Sequence, residues 1–169
     1  MIRAFLPVIV FFMGIHLALA EAGPRIEVFE HGTYTAASPS DIVVGFTHRG
    51  LEIGDFEEID HVQSTRVVVG QLGNKFGFRY RVSGLPSGMP MRLTIVLKFP
   101  PPGMVAKPPS APFLQDDYVV VEIADSDAYW TWTFDDRAQI IPGTWVIEIW
   151  NGSKKLTAQE FTVILPPIA

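Results

Sequence analysis

The 169 residues contain no cysteine, which removes thiol nucleophiles, disulfides and cysteine-held metals together. Chemistry then falls to carboxylates, histidines and tryptophans. His31, His48 and His61 lie beyond the apolar N-terminal stretch, and none stands at the His-x-x-x-His spacing of a zinc site. Asp55, Glu57, Glu58, Asp60 and His61 crowd one acidic stretch. Carboxylates beside an imidazole suit a divalent ion, although a solvated acidic loop is the plainer reading. Asp116, Asp117, Asp125, Asp127, Asp135 and Asp136 form a second set, all at expected strand ends. If residues 118–124 and 128–134 pair as a hairpin, Asp116, Asp117, Asp135 and Asp136 meet at one end, while Asp125 and Asp127 sit at the other. Calcium, which takes about six to eight oxygens, would be the fitting ion. Aspartate is equally an ordinary turn residue. No Gly-x-Ser-x-Gly elbow occurs, and Gly70-Gln71-Leu72-Gly73 lacks the spacing of a phosphate loop.

The elements that must position these groups are strands. Lys75 to Ser83 alternates, with Phe76, Phe78, Tyr80 and Val82 on one face and Lys75, Gly77, Arg79 and Arg81 on the other. Met91 to Phe99 repeats the pattern. Arg25 to Thr35 alternates as well, while 41–47 and 66–70 are short apolar runs that read as buried strands. Residues 118–124 and 128–134 read as a hairpin turned at Asp125-Ser126-Asp127. Thr144 to Trp150 and Lys155 to Leu165 flank Asn151-Gly152, the best short hairpin signal. Leu51 to Val62 reads as a long acidic loop. The proline-rich stretch from Phe99 to Pro112 cannot pair in a sheet and reads as a stiff polyproline crossing between layers. Seven to nine short strands without helical crossovers predict an all-β, antiparallel, two-sheet immunoglobulin-like sandwich. Trp130, Trp132 and Trp145 belong to its core. Trp150 falls on the opposite face from Trp145, beside the turn, and is expected to be partly exposed.

The N-terminus carries a different message. Arg3 is followed by an uncharged apolar run to Leu17 and by Ala18-Leu19-Ala20, a small-x-small exit before Glu21. These are the parts of a secretory signal peptide, with cleavage between Ala20 and Glu21. Too few apolar residues stand there, with Pro7, Gly14 and His16 among them, for a retained anchor. The expected organisation is a signal peptide at 1–20, a flexible mature start at 21–24 and one sandwich domain at 25–165. Export without cysteine points to a bacterial periplasm or secretion, with membrane contact only during passage. The net charge of −5 lacks the basic stripe that a nucleic-acid binder needs.

Two stretches carry a resemblance. Gly70 … Gly73-Asn74-Lys75-Phe76-Gly77-Phe78 before Gly84-Leu85-Pro86 is one. Phe134-Asp135-Asp136 … Ile141-Pro142-Gly143-Thr144-Trp145 … Glu148-Ile149-Trp150 … Phe161-Thr162-Val163 is the other. Together they resemble a bacterial exported family, the domain of unknown function numbered three-eight-five-nine, across about Arg25 to Val163. The resemblance implies an exported immunoglobulin-like sandwich and no catalytic residues.

The expected function is therefore a non-enzymatic envelope module, without cofactor, that binds a protein or other envelope component through Trp150, Asn151 and Gly152. The alternative is a calcium- or carbohydrate-binding protein, possibly enzymatic, that uses its acidic loops, with Asp116, Asp117, Asp135 and Asp136 as metal ligands.

Overall fold

The structure, a computed structural model, describes residues 23–36, 42–55, 59–106 and 110–167. The expected leader at 1–20 with Ala18, Ala20 and Glu21, and the residues Glu57 and Glu58, lie outside the described residues. One layer has the strand order β4-β1-β6-β9, formed by β1 (Arg25–Ala36), β4 (Ile59–Gln63), β6 (Lys75–Ser83) and β9 (Asp127–Thr133). The second has the order β5-β11-β10-β7-β8, formed by β5 (Val67–Val69), β7 (Pro90–Lys98), β8 (Gln115–Ile123), β10 (Gly143–Asn151) and β11 (Lys154–Ile164). A separate two-stranded ribbon joins β2 (Ile42–Phe46) to β3 (Glu52–Asp55). Apart from a 3-10 turn at Arg137–Gln139, the described residues hold no helix.

Alternation fixes the interior. Phe76, Phe78, Tyr80 and Val82 face Leu93, Ile95, Trp145, Ile147 and Phe161, all buried. Trp145 is the keystone. Its ring meets Phe99 edge-on at 4.9 Å and Phe76 at 5.7 Å, and its indole nitrogen donates to the Ile141 carbonyl at 2.9 Å. Edge-to-face pairs add about 0.5–1.5 kcal/mol each beyond area burial. Gly77 lets β6 and β9 close, since a Cβ there would lie 1.9 Å from the Trp130 carbonyl oxygen.

Several expectations give way. The described residues of 51–62 are not a loop: they hold β3 and β4, anchored by buried Leu51 and Ile59. Two apolar anchors among many charges are too sparse to read as alternation. Within the run at 42–47, among the described residues β2 pairs with β3 alone, and Phe46, expected in a buried strand, is 62% exposed. β5 lies parallel to β11 and buries Val68 alone of its three valines. Lys75, assigned to the solvent face, is buried, as is its cross-strand neighbour Tyr34. The two-residue turn of the last hairpin is Gly152-Ser153, one step beyond Asn151-Gly152. Asn151 pairs with Lys154, and only Gly152 takes positive φ (53°).

Two corrections concern which strands are neighbours. Residues 118–124 and 128–134 do not form a hairpin: β8 pairs with β7, and β9 pairs with β6 in the other layer. Between them Ala124 bonds the Met89 carbonyl and Asp125, at φ 64°, donates to the Val82 carbonyl, so this turn passes the chain across the sandwich. The proline-rich stretch makes the opposite error. It leaves β7 and returns to the same sheet as β8, folded on itself by a Met104–Phe113 bridge and a Gly103-to-Pro100 turn. Turn residues announce that the chain reverses, and say nothing of which sheet it reverses into.

Candidate functional site

Trp150 stands on the outer face of β10, partly exposed as its alternation implies. Its indole donates to Glu148 Oε2 at 3.0 Å, and Lys155 Nζ lies 5.7 Å from its ring centre. Glu148 is buried and takes Lys98 at 2.9 Å and Lys155 at 3.1 Å on Oε1. Burial alone would raise this carboxyl, but donation from Lys98, Lys155 and Trp150 outweighs it and holds the group below its ordinary value. Asn151 and Gly152 carry the chain into the turn. The hairpin tip is thus a chemically satisfied place.

The aspartates do other work. Asp116 is buried and accepts from the Thr47 hydroxyl, from the Arg49 amide at 3.0 Å and from the Asp117 amide at 2.9 Å. Its lone pairs fasten the 47–51 turn to the start of β8. Asp136 Oδ1 caps the 3-10 turn by accepting from the Ala138 amide at 2.9 Å, and the Asp135 amide donates to Gln139 Oε1 at 3.1 Å. The hairpin that would bring Asp116 and Asp117 to Asp135 and Asp136 does not form. Among the described residues no group of three or more histidines and carboxylates is arranged to hold a metal ion.

On the outer face of the four-stranded layer, Ser64 Oγ stands 3.4 Å from His61 Nε2, and His61 Nδ1 stands 3.9 Å from Glu30 Oε2. The order is that of a hydrolytic triad, but both spacings exceed the roughly 2.6–3.2 Å reach of proton transfer. His61 Nε2 also faces the His31 carbonyl at 3.3 Å, and Glu30 pairs with Arg79 at 3.2 Å. Burial, Arg66 and His61 together lower the His31 pKa.

The open feature is the side where β8 and β9 end their layers. β8 pairs with β7 on one flank only. Phe99 donates to Leu114 and Ala124 to Met89, so the alternate residues Gln115, Asp117, Val119, Val121 and Ile123 turn their amides and carbonyls to the free flank. The ends of this row are tied. Arg49 Nε donates to the Gln115 carbonyl, His48 to the Asp117 carbonyl and Ser126 to the Ile123 carbonyl. Between them, among the described residues, Val119 and Val121 keep both backbone groups unpaired and Ile123 keeps its amide. Their side chains, 45%, 63% and 41% exposed, form an apolar row on the outer face of the sheet.

Behind this flank lies a cleft of about 360 Å³, bounded by the inner side of β8, by β9 and by the β2–β3 ribbon. Tyr118, Tyr129, Trp130 and Trp132 supply its aromatic wall, and Glu52 and Glu122 its charge. Tyr80 donates to Glu122 Oε1 at 2.8 Å, and burial with that carboxylate beside it pushes the Tyr80 hydroxyl pKa up. Burial likewise raises Tyr118, partly offset by the Trp130 indole. The Trp132 Nε1 hydrogen is shut off from solvent without an acceptor, an expensive arrangement for a donor. Sequence reasoning missed this site. The one signal for it was Val119-Val120-Val121, apolar on both faces of a strand whose outer face should be polar.

A family model described as a domain of unknown function (DUF3859) matches residues 46–163. No curated protein matches the chain. Among solved structures, an immunoglobulin-like protein from Pseudomonas aeruginosa is similar at 23% identity with a TM-score of 0.56, covering 86% of this chain and 99% of that one. At that identity the likeness concerns the fold.

Proposed function

The chain belongs to the DUF3859 family, and from that premise we propose an exported, non-enzymatic immunoglobulin-like module that binds a protein partner by adding the partner's extended segment to the free flank of β8. The observation that carries this reading is the unpaired stretch at Val119 and Val121 with its exposed apolar row. Such a row of amides and carbonyls is a template for another extended backbone, and strand addition is a recurrent mode of peptide recognition. The leader-like N-terminus with its exit at Ala18 and Ala20 supports export to the bacterial envelope. The long Ser64–His61–Glu30 spacings favour a structural role for that cluster. Trp150 is less suited as the binding anchor, its polar atom being engaged by Glu148.

The test uses Val121→Pro. The Val121 amide faces away from β7, so proline there removes a docking donor and leaves the sheet ladder whole. Wild type is expected to capture a defined partner from the envelope fraction and the variant to lose it, at an unchanged melting temperature. Equal capture by both refutes strand addition. A concentration-dependent dimer that Val121→Pro dissolves would show that the occupant is a second copy. Finding Glu21 as the N-terminal residue of protein recovered from the envelope checks export.

A further inference from the structure

We propose that the cleft beside β8 seats a cationic side chain, lysine or arginine, carried by the segment that docks on the free flank; this rests on the strand-addition reading above. A strand laid along β8 alternates its side chains between the outer face and the interior. Its outward residues meet Val119, Val121 and Ile123, which calls for apolar partners. Its inward residue meets the cleft. Among the described residues, four aromatic side chains line that space, Glu52 and Glu122 are its acidic groups, and no lysine, arginine or histidine stands on its wall. Glu52, exposed on β3, forms no ion pair among the described residues. Aromatic faces attract a cation through their quadrupoles, and more so once water is excluded. A carboxylate at the rim adds Coulomb attraction and steers the approach. An acidic side chain would meet two like charges, so the cleft also discriminates against the opposite sign. The volume, about 360 Å³, is at the small end for ligand pockets and suits one long side chain better than an oligosaccharide.

The experiment titrates the full mature protein with two blocked peptides of alternating valine and threonine, identical except for a central inward arginine or glutamine. A third probe is N-acetylarginine amide, which has no strand to add. Binding is followed by the indole N–H resonances of Trp130 and Trp132. The arginine peptide is expected to bind about tenfold more tightly than the glutamine peptide, the order of a desolvated cation–aromatic contact. Glu52→Gln, at an exposed position where folding is not at stake, should shrink that ratio and its dependence on salt. Equal affinity of the two peptides overturns the cationic seat and leaves strand addition standing. Saturable binding of the arginine amide with no response to either peptide leaves the seat standing and removes strand addition. Perturbation of the indoles by neutral disaccharides but not by arginine overturns the seat in favour of a sugar site.

Discussion

The five-stranded sheet has two edges, and they are finished differently. At β5 the strand is three residues long, and the outward amide and carbonyl of Val67 and the outward carbonyl of Val69 are capped by side chains. Thr65 Oγ1 bonds both the amide and the carbonyl of Val67 at 3.0 Å, and Asn74 Nδ2 donates to the Val69 carbonyl at 2.8 Å. At β8 the strand is nine residues long, tied at both ends and, among the described residues, bare between. Exposed edges invite uncontrolled pairing, and proteins commonly blunt them by short strands, charges or covers. Here the same sheet carries the remedy on one side and omits it on the other. The difference teaches that the open stretch of β8 is a local exception within a fold that has the means to close it.

The comparison can be broken most severely from the interior that both edges share. Trp145→Ala should cost about 3–5 kcal/mol and lower the melting temperature by roughly 2–4 °C for each of them, with both edges lost in one transition. Separate transitions in a melt would show that the edges do not depend on one core. Next in size is Glu148, midway across the sheet. Its carboxyl is held below its ordinary value, so its contribution is complete above the unfolded pKa, about 4.3, and fades as pH falls through the lower folded one. Glu148→Gln should cost about 1–2 kcal/mol at neutral pH, and the difference from wild type should vanish in acid. An undiminished difference at low pH would remove the ionic account.

A smaller stability effect should come with a large change in behaviour. Thr65→Ala uncaps β5 at about 1 kcal/mol, and with Asn74→Ala it should convert the quiet edge into a second open one, visible as concentration-dependent association by light scattering. A monomeric double variant would mean that brevity alone protects β5. The smallest stability effect, within about 0.5 kcal/mol, belongs to Val121→Lys, which places a charge in the apolar row and should abolish docking. Trp150→Ala beside it should leave docking intact. If Trp150→Ala abolishes capture while Val121→Lys does not, the hairpin tip is the binding face and the contrast between edges has no functional meaning.

Much of the scaffold was legible in the residues. β6, β7, β10 and β11 read true to within a residue at their ends, and their inward faces were legible apart from exposed Leu165, because burial of one side requires only a period of two; buried Lys75 on the other face of β6 was not legible. Trp145 as core and Trp150 as partly exposed follow from the same alternation. The partners of β8 and β9 were not legible, since the residues of a reversal do not record which layer receives the next strand. The candidate site depends on that assignment. Val119 and Val121 become an open flank only because β8 ends its sheet, and Tyr118, Trp130 and Trp132 share a wall only because β9 ends the facing one. Local pattern carries the facing of a side chain, and tertiary neighbourhood decides whether a strand is an edge.

The parallel partnership of Val67–Val69 with Thr162–Ile164 also has a bearing on how the molecule comes into being. Arg66 and Glu160, which touch beside this junction, are 94 positions apart along the chain, and such distant closures are slow steps in folding. A polypeptide emerging from the ribosome, or threading through a narrow passage, leaves this layer unsealed until β11 arrives. During that interval the valines of β5 lack their partner strand, the condition under which apolar segments in general are prone to aggregate.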